Sequence, residues 1–490
     1  MTVQAELGTL EASGLVEIAA LQPELEYLFR HALVQDAAYG SLLKQDRRTL
    51  HRAAAETLLA LYPERKSELA AVVAMHFEQA GEATRAAEYL VLAGEHTLER
   101  FAHREAVAFF NRASALADDT QPELRLRAAI GGAKAGWTYN EPGADIERIE
   151  RSLAGADKTD RQLLVEAYFW ISFLRRQRGE VPESSAALKE AEAHVAEIGA
   201  ALGDTNAGAL PRAFMGSYMA FTGHLREGAR EMSEALDAIE AKADPLSTAM
   251  VCGFLTMTYA RLGEFAKAEE ALARSERLSD LGGDAISRVD VLIAKAAIQL
   301  ERGDFDAASA LSLECATRAD ELGANACVVG ATALYGVARL ATDDARTAEA
   351  PLERANELSL VTSMAPMRTA IQSLLGSVRA RLGDIPAGIA GWNDALASAR
   401  AMSDRFGEAY TFWGRARTYQ REPAPDWTAV LGDLEKAVGL FRAMEARPAL
   451  ARALGDRANA LRARGRAAQA ADDDRESHEL SRELGLKDLP

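Results

Sequence analysis

The chain has 490 residues, 26% charged and 48% hydrophobic but only 6% aromatic, enough for several domains or one long repeat array. A net charge of -17 leaves no global attraction for phosphate backbones, so no nucleic-acid partner is expected. Cys252, Cys315 and Cys327 show no C-x-x-C spacing, and there is neither a charged-then-apolar leader nor an apolar run of about 18 residues, so the expectation is a cytoplasmic protein without disulfides or membrane spans.

The apolar content is mostly Ala and Leu, with only 14 Pro, which favours helix. At the front, "LGTLEASGLVEI" (7–18) begins as a helix and ends at Gly14. Val16 and Ile18 then alternate with polar neighbours, "ALQPEL" turns, and Tyr27 and Phe29 alternate again, which predicts a β-hairpin. "RHALVQDAAYGSLL" (30–43) carries Leu33, Ala37 and Leu42 at helical spacing, and "RRTLHRAAAETLLALY" (47–62) is a second helix. His31 at the helix start reads as a local cap or packing residue.

Helices are expected from about residue 64 onward. "FEQAGEATRAAEYLVLAGEH" (77–96) turns at Gly81, with small residues Ala74, Ala86 and Ala93 around it. "FAHREAVAFFNRASAL" (101–116) is amphipathic, and Pro142-Gly143 reads as a turn. The pattern leaves helix pairing between 85 and 160 open.

From about 160 a repeat of about 40 residues emerges. "YARLGEFAKAEEAL" (259–272), "QLERGDFDAASALS" (299–312) and "RARLGDIPAGIAGW" (379–392) share Gly, an acid and a later small residue. The anchors are Gly179, Gly223, Gly263, Gly303, Asp343, Gly383, Pro425 and Gly465. Seven residues before them stand Ser172, Gly216, Thr256, Ala296, Gly336, Gly376, Thr418 and Ala458, all small. Twelve after stand Ala191, Ala235, Ser275, Cys315, Ala355, Ala395, Ala437 and Ser477. Five after, every residue from Ser184 to Ala470 is small except Val430. An anchor Gly allows positive φ at a helix C-terminus, the following acid suits the start of the next helix, and small columns let the two helices approach closely. Segments between pairs, such as "ADELGANACV", read as a helix extension with a break.

These columns resemble the tetratricopeptide repeat, whose usual period is about 34 residues. The long period is similar to arrays in bacterial signalling ATPases and maltose-operon-type activators. The wording "SGLVE…YLFRHALVQDAAYGSLL…RRTLHRAAAETL" resembles the join between winged helix and repeats in STAND-type ATPases, many attached to class III cyclases. The expected fold is all-α: a TPR-like right-handed α-solenoid with a small N-terminal partial winged helix, a helix plus a β-hairpin. Expected boundaries are 1–62 for the winged-helix or coupling segment, 63–160 for helical pairs of irregular register, and 161–490 for about eight repeats. The resemblance also implies an upstream ATPase or cyclase, in cis or in trans, and a chain that is a fragment or an isolated segment of such a system.

By the repeat family's geometry, groove residues lie about two, three, six and ten before each anchor. That selects Phe169, Phe173, Arg176, Met257, Arg261, Ile293 and Glu301, which would suit a peptide or a partner helix. No cofactor is expected and no catalysis. "LAGADKTD" (153–160) has Gly155, Lys158 and Thr159 but not the phosphate-loop frame, and Asp157 would repel phosphate. The eight histidines form no H-E-x-x-H, and in "SHELSR" Arg482 stands where a second metal ligand would be. "RRQR" (175–178) and Arg462, Arg464 and Arg466 read as solvated helix ends. Three functions are compatible: a scaffold for a protein or peptide partner, a small-molecule effector sensor for an ATPase or cyclase, and DNA binding. The last is disfavoured because the presumed reading helix "VQAELGTLEASG" carries Glu6 and Glu11 and no Lys or Arg.

Overall fold

The computed structural model describes residues 3–20, 26–100, 102–156, 160–202, 208–241, 245–282 and 285–487. These hold one two-stranded sheet and 24 α-helices in two compact units, Met1–Ala93 with Ala115–Ala117 and Gly94–Ser114 with Asp118–Pro490. Among the described residues no helix is long and apolar enough to cross a membrane.

In the first unit, α1 (Val3–Ala12) is followed by Gly14 at φ 72°. That left-handed turn leads into β1 (Val16–Ala20), antiparallel to β2 (Glu26–Phe29), with Val16 opposite Phe29 and Ile18 opposite Tyr27. The expected turn at 21–25 lies outside the described residues. Of the four alternating side chains only Val16 is buried. α2 (Ala32–Ser41) buries none of its residues, and His31 at its start makes no side-chain cap bond, so the expected capping role is not found. α3 (Lys44–Leu61) packs on α4 (Ala70–Ala80) through Ala55, Val73 and Phe77. The ring of His51 ties three helices together: its Nε2 is 3.0 Å from Tyr39 Oη in α2 and its Nδ1 2.8 Å from His76 Nδ1 in α4. Burial and the neighbouring His51 hold His76 below the usual imidazole pKa. Gly81, at φ 79°, closes α4 as its anchor position predicts.

The second unit opens with Phe110, buried between Gly94 and Gly131, where any Cβ would collide with its ring. Pro142 and Gly143 begin the helix Pro142–Leu153 instead of forming the expected turn. Proline is preorganised for the first helical turn, where its missing N–H leaves no bond unmade, so the chain reverses just before it.

Among the described residues, eight helix pairs run from Arg161 to Leu484. Their first helices are Arg161–Gln177, Ala209–Phe221, Pro245–Leu262, Ala285–Arg302, Asn325–Ala341, Ala365–Arg381, Arg405–Tyr419 and Arg447–Ala463, each packed on the helix that follows it. This is a TPR-like α-solenoid. Gly179, Gly223, Gly263, Gly303, Gly383 and Gly465 all have φ between 70° and 102°, and Asp343 takes the same conformation at φ 63°. Asp304, Asp344 and Asp384 each accept the amide N–H three residues on, capping the second helices. The small columns meet as required. Ser172 Oγ lies 3.1 Å from Ser184 Oγ, and a Cβ on Gly376 would come within 2.9 Å of both the Gly388 carbonyl oxygen and the Trp392 ring. Trp392 is fully buried and donates its indole N–H to Ser377 Oγ at 3.1 Å.

Two features differ from the sequence pattern. Pro425 is no left-handed anchor; the helix ends at Tyr419 and the turn before Asp426 is longer. The extra residues sit in that turn, so the seventh first helix keeps the 40-residue register and buried Ala416, not Thr418, stands 40 after Gly376. A second left-handed series also closes the second helices, at Gly323, Ser363, Ser403, Glu445 and Gly485, all but Glu445 standing 20 residues after a left-handed anchor. Ser and Glu in this conformation cost roughly 1–2 kcal/mol each and leave no glycine signal to read.

The solenoid folds back on itself. A Cβ on Gly179 would touch Ala365 and Met402 of the sixth pair; on Gly223, Met444 and Arg405 of the seventh; on Gly263, Leu484 of the eighth. Arg226 bridges Glu264 and Glu445, at 2.9 and 2.8 Å, and the Lys487 amide donates to Arg302 O at 2.8 Å. First helices from five pairs apart therefore face each other across an interior.

Candidate functional site

That interior is a cavity of about 570 Å³, lined mainly by apolar side chains of the first helices. All seven residues selected from the sequence, Phe169, Phe173, Arg176, Met257, Arg261, Ile293 and Glu301, border it. The reason is helical geometry: positions two, three, six and ten before an anchor share one face of a first helix. The residues two, six and ten before Asp343, namely Ala341, Val337 and Ala333, and before Gly383, namely Arg381, Ser377 and Ser373, also border it. Arg381 was therefore legible in the pattern although it was not selected.

The seven differ in what they are available to do. Phe169 and Phe173 are buried, 2% and 8% exposed, in an aromatic wall with Trp170 and Phe214; the Phe169 and Phe214 centroids are 4.4 Å apart. They shape the cavity but also hold the first two pairs together, so removing Phe173 would cost stability. Glu301 forms a buried ion pair with Arg452, Oε2 to Nη2 at 3.0 Å, and accepts from Tyr410 Oη at 3.4 Å. The Arg452 guanidinium also donates to the Glu301 carbonyl at 3.1 Å. This pair joins the fourth first helix to the eighth, which makes Glu301 a closure residue. Burial and Glu301 push the Tyr410 hydroxyl well above its ordinary pKa. Arg261 stacks over Phe406 at 4.5 Å and faces Asp404, whose carboxyl is raised by burial against the pull of the Gly407 N–H and of Arg261.

Arg176 is different. Its guanidinium carbon lies 3.2 Å from the Tyr218 ring centroid, a cation–π contact. It makes no ion pair or hydrogen bond with any described residue, and burial lowers its pKa to about 10. The expected solvated helix end thus holds only in part: Arg175 pairs with Glu150, Arg178 with Glu180, and Arg176 enters the cavity. Arg381 is lowered further, to about 9, by burial and then by Arg421 and Arg417. It donates to Leu340 O at 2.8 Å and meets Asp343 at 3.4 Å.

Six cations border the cavity (Arg176, Lys189, Arg261, Arg381, Arg417, Arg452) against four acids (Glu192, Asp290, Glu301, Asp404), a positive surplus inside a chain of net charge -17. Gly253 and Gly330 also border it in mid-helix, and a Cβ on either would meet nothing within 4 Å. Each lowers helix stability by about 0.5–1 kcal/mol relative to alanine and leaves volume open instead.

Other candidates lead nowhere near chemistry. Cys252 is pushed up to about 11 by burial, and Cys315 and Cys327 higher still, which disfavours thiolates. Among the described residues no group of three His, Cys, Asp or Glu is placed to hold a metal ion. Of "LAGADKTD", residues 157–159 lie outside the described residues.

No protein-family model and no curated protein sequence matches the chain. Solved structures do. A Rap protein complexed with competence and sporulation factor is similar over 75% of this chain and 99% of its own, at 13% identity and a TM-score of 0.55. A STAND protein with a tetratricopeptide-repeat sensor from Pyrococcus horikoshii is similar over 82% of this chain and 59% of its own, at 17% identity and a TM-score of 0.48. The apo quorum sensor NprR from B. thuringiensis covers 72% and 98%, at 12% identity and a TM-score of 0.44. At 13% identity the likeness to the Rap protein speaks of fold alone, and it agrees with a TPR-like solenoid.

Proposed function

We propose that this chain is a non-catalytic regulatory protein whose solenoid interior receives an effector, and that it acts as the sensor part of a STAND-type ATPase or cyclase signalling system. The observation that carries the reading is the convergence of first-helix faces on one cavity, kept open at Gly253 and Gly330 and bordered by Arg176, which has no acid partner among the described residues. Small-molecule sites are of this kind: a few hundred Å³, mostly apolar, with a few placed polar groups. The Rap likeness is compatible, since a solenoid of this fold is seen there with a bound factor. A protein partner, the ATPase or cyclase supplied in cis or in trans, belongs in this proposal to the front segment. The helix, hairpin and helix of 3–41 resemble the end of a winged helix, and Leu28, Phe29 and Leu33 are exposed there, at 59%, 44% and 81%.

Thermal shift of the full chain against fractionated metabolite extract of its host tests the interior. A stabilising fraction is expected for the wild type. In Gly330→Leu, whose Cβ would meet nothing within 4 Å and whose side chain would fill cavity space, the shift should vanish while the melting temperature without extract stays or rises. Equal shifts in both proteins would overturn the interior as the site.

A further inference from the structure

We propose that the cavity ligand is a small amphipathic monoanion, an apolar body bearing one carboxylate, with the carboxylate held by Arg176. This rests on the reading of the interior as the effector site and names the ligand's class.

The charge comes from Arg176. A guanidinium removed from water and given no acid is a cost that a ligand anion would relieve, and its planar fork suits a carboxylate held in two parallel hydrogen bonds. Tyr218 covers one face of the guanidinium, so the donor edge is what remains to meet a ligand. Each of the other arginines on the lining has an acid facing it. Arg452 holds Glu301, Arg261 faces Asp404, Arg417 meets Asp456 at 3.5 Å and Arg381 meets Asp343. Lys189, the remaining cation on the lining, is exposed, so Arg176 is the one largely buried lining cation with no acid among the described residues, which matches one negative charge and favours a carboxylate over a doubly charged phosphate.

The body comes from the wall beside it. Phe173, Phe214 and Phe254 form consecutive edge-to-face contacts, with centroids 5.4 and 5.8 Å apart, and Met257 borders the same space. Such a wall accepts aliphatic or aromatic carbon and offers no hydrogen bonds to it.

A peptide fits less well. Each residue of a bound peptide brings an N–H and a C=O that must be satisfied on leaving water. Beside Arg176, the side chains of Phe173, Phe214, Phe254 and Met257 offer such groups no N–H or O–H donor and no oxygen acceptor. The stretch of wall formed by Phe173, Phe214, Phe254 and Met257, with the Arg176 guanidinium beside it, is the complement of a molecule with one polar end.

The experiment is calorimetric titration of the full chain with sodium decanoate and sodium 4-phenylbutyrate. Decanamide, decylamine and an uncharged apolar hexapeptide serve as controls. Saturable binding of at least one carboxylate is expected, with the amide at least tenfold weaker and the amine showing no binding. Arg176→Gln should weaken the carboxylate roughly 10- to 100-fold, the ratio that hydrogen bonds to a charged group carry. Arg381→Gln should change it less than threefold. Gly253→Leu should abolish binding without lowering the melting temperature, which keeps the test valid if Arg176→Gln folds poorly. Equal affinity for acid and amide, or an unchanged affinity in Arg176→Gln, would overturn the carboxylate assignment. Hexapeptide binding lost in Gly253→Leu, with no carboxylate bound, would overturn the ligand class and leave the interior as a site. Probe binding that survives Gly253→Leu and Gly330→Leu alike would overturn both.

Discussion

The two units solve burial in different ways. In the solenoid, each anchor turn, each small column and each bulky filler recurs about every 40 residues, and nearly every column residue is buried. In the front unit, α2 buries nothing, the hairpin buries only Val16, and twelve of the seventeen exposed large hydrophobics given for the described residues lie between Leu10 and Met75. A helix pair in an array is completed by its neighbours. A two-stranded hairpin with one short helix has none, and two strands alone are marginal in water. The difference teaches that repeats can be checked for internal completeness, whereas apolar surface on a non-repeating segment points to an interaction.

Substitutions can break or sharpen that contrast. The largest effect is expected at the closure of the solenoid. Arg452→Ala strands the buried Glu301 carboxylate and should cost about 3–5 kcal/mol in denaturant unfolding, while Glu301→Met combined with Arg452→Met should recover most of it. If the single variant is as stable as wild type, the fold-back of the fourth pair on the eighth is wrong. Next come the columns. Gly228→Val would drive a Cβ into the backbone of Gly216 and Ala220 and should cost about 3 kcal/mol; Ala268→Leu should cost about 1–3 kcal/mol by overpacking. Unchanged melting temperatures for both would remove the register itself. The smallest effect is expected in the front unit, where Leu33→Asp, at an 81% exposed position, should stay within about 0.5 kcal/mol of wild type. A large loss there would show that this segment is packed after all, and the contrast between the units would fall.

Much of this was legible from residue order. Local rules act within a few residues: glycine at positive φ, an acid at the next N-cap, alanine or serine where helices cross. They placed most of the turns, the buried columns and the cavity-facing positions of the first, third, fourth, fifth and sixth first helices. Where the rules were satisfied by other residues the pattern was silent, as at Ser363, Ser403 and Glu445, or it misled by two residues, as at Pro425. Pro142-Gly143 misled because the same dipeptide serves a turn or a helix start.

Sequence alone therefore determined the repeat, its period and, for most of the first helices, the face that turns inward, because those depend on spacing along one chain. Only the tertiary structure decided that the inward faces enclose a cavity, because the superhelix brings pairs five apart into contact and no local signal carries that distance. It also decided the fate of each charged groove residue. Glu301 met Arg452, Arg261 came to face Asp404, and Arg176, identical in chemistry to the other arginines of "RRQR", was left facing the interior with no acid among the described residues.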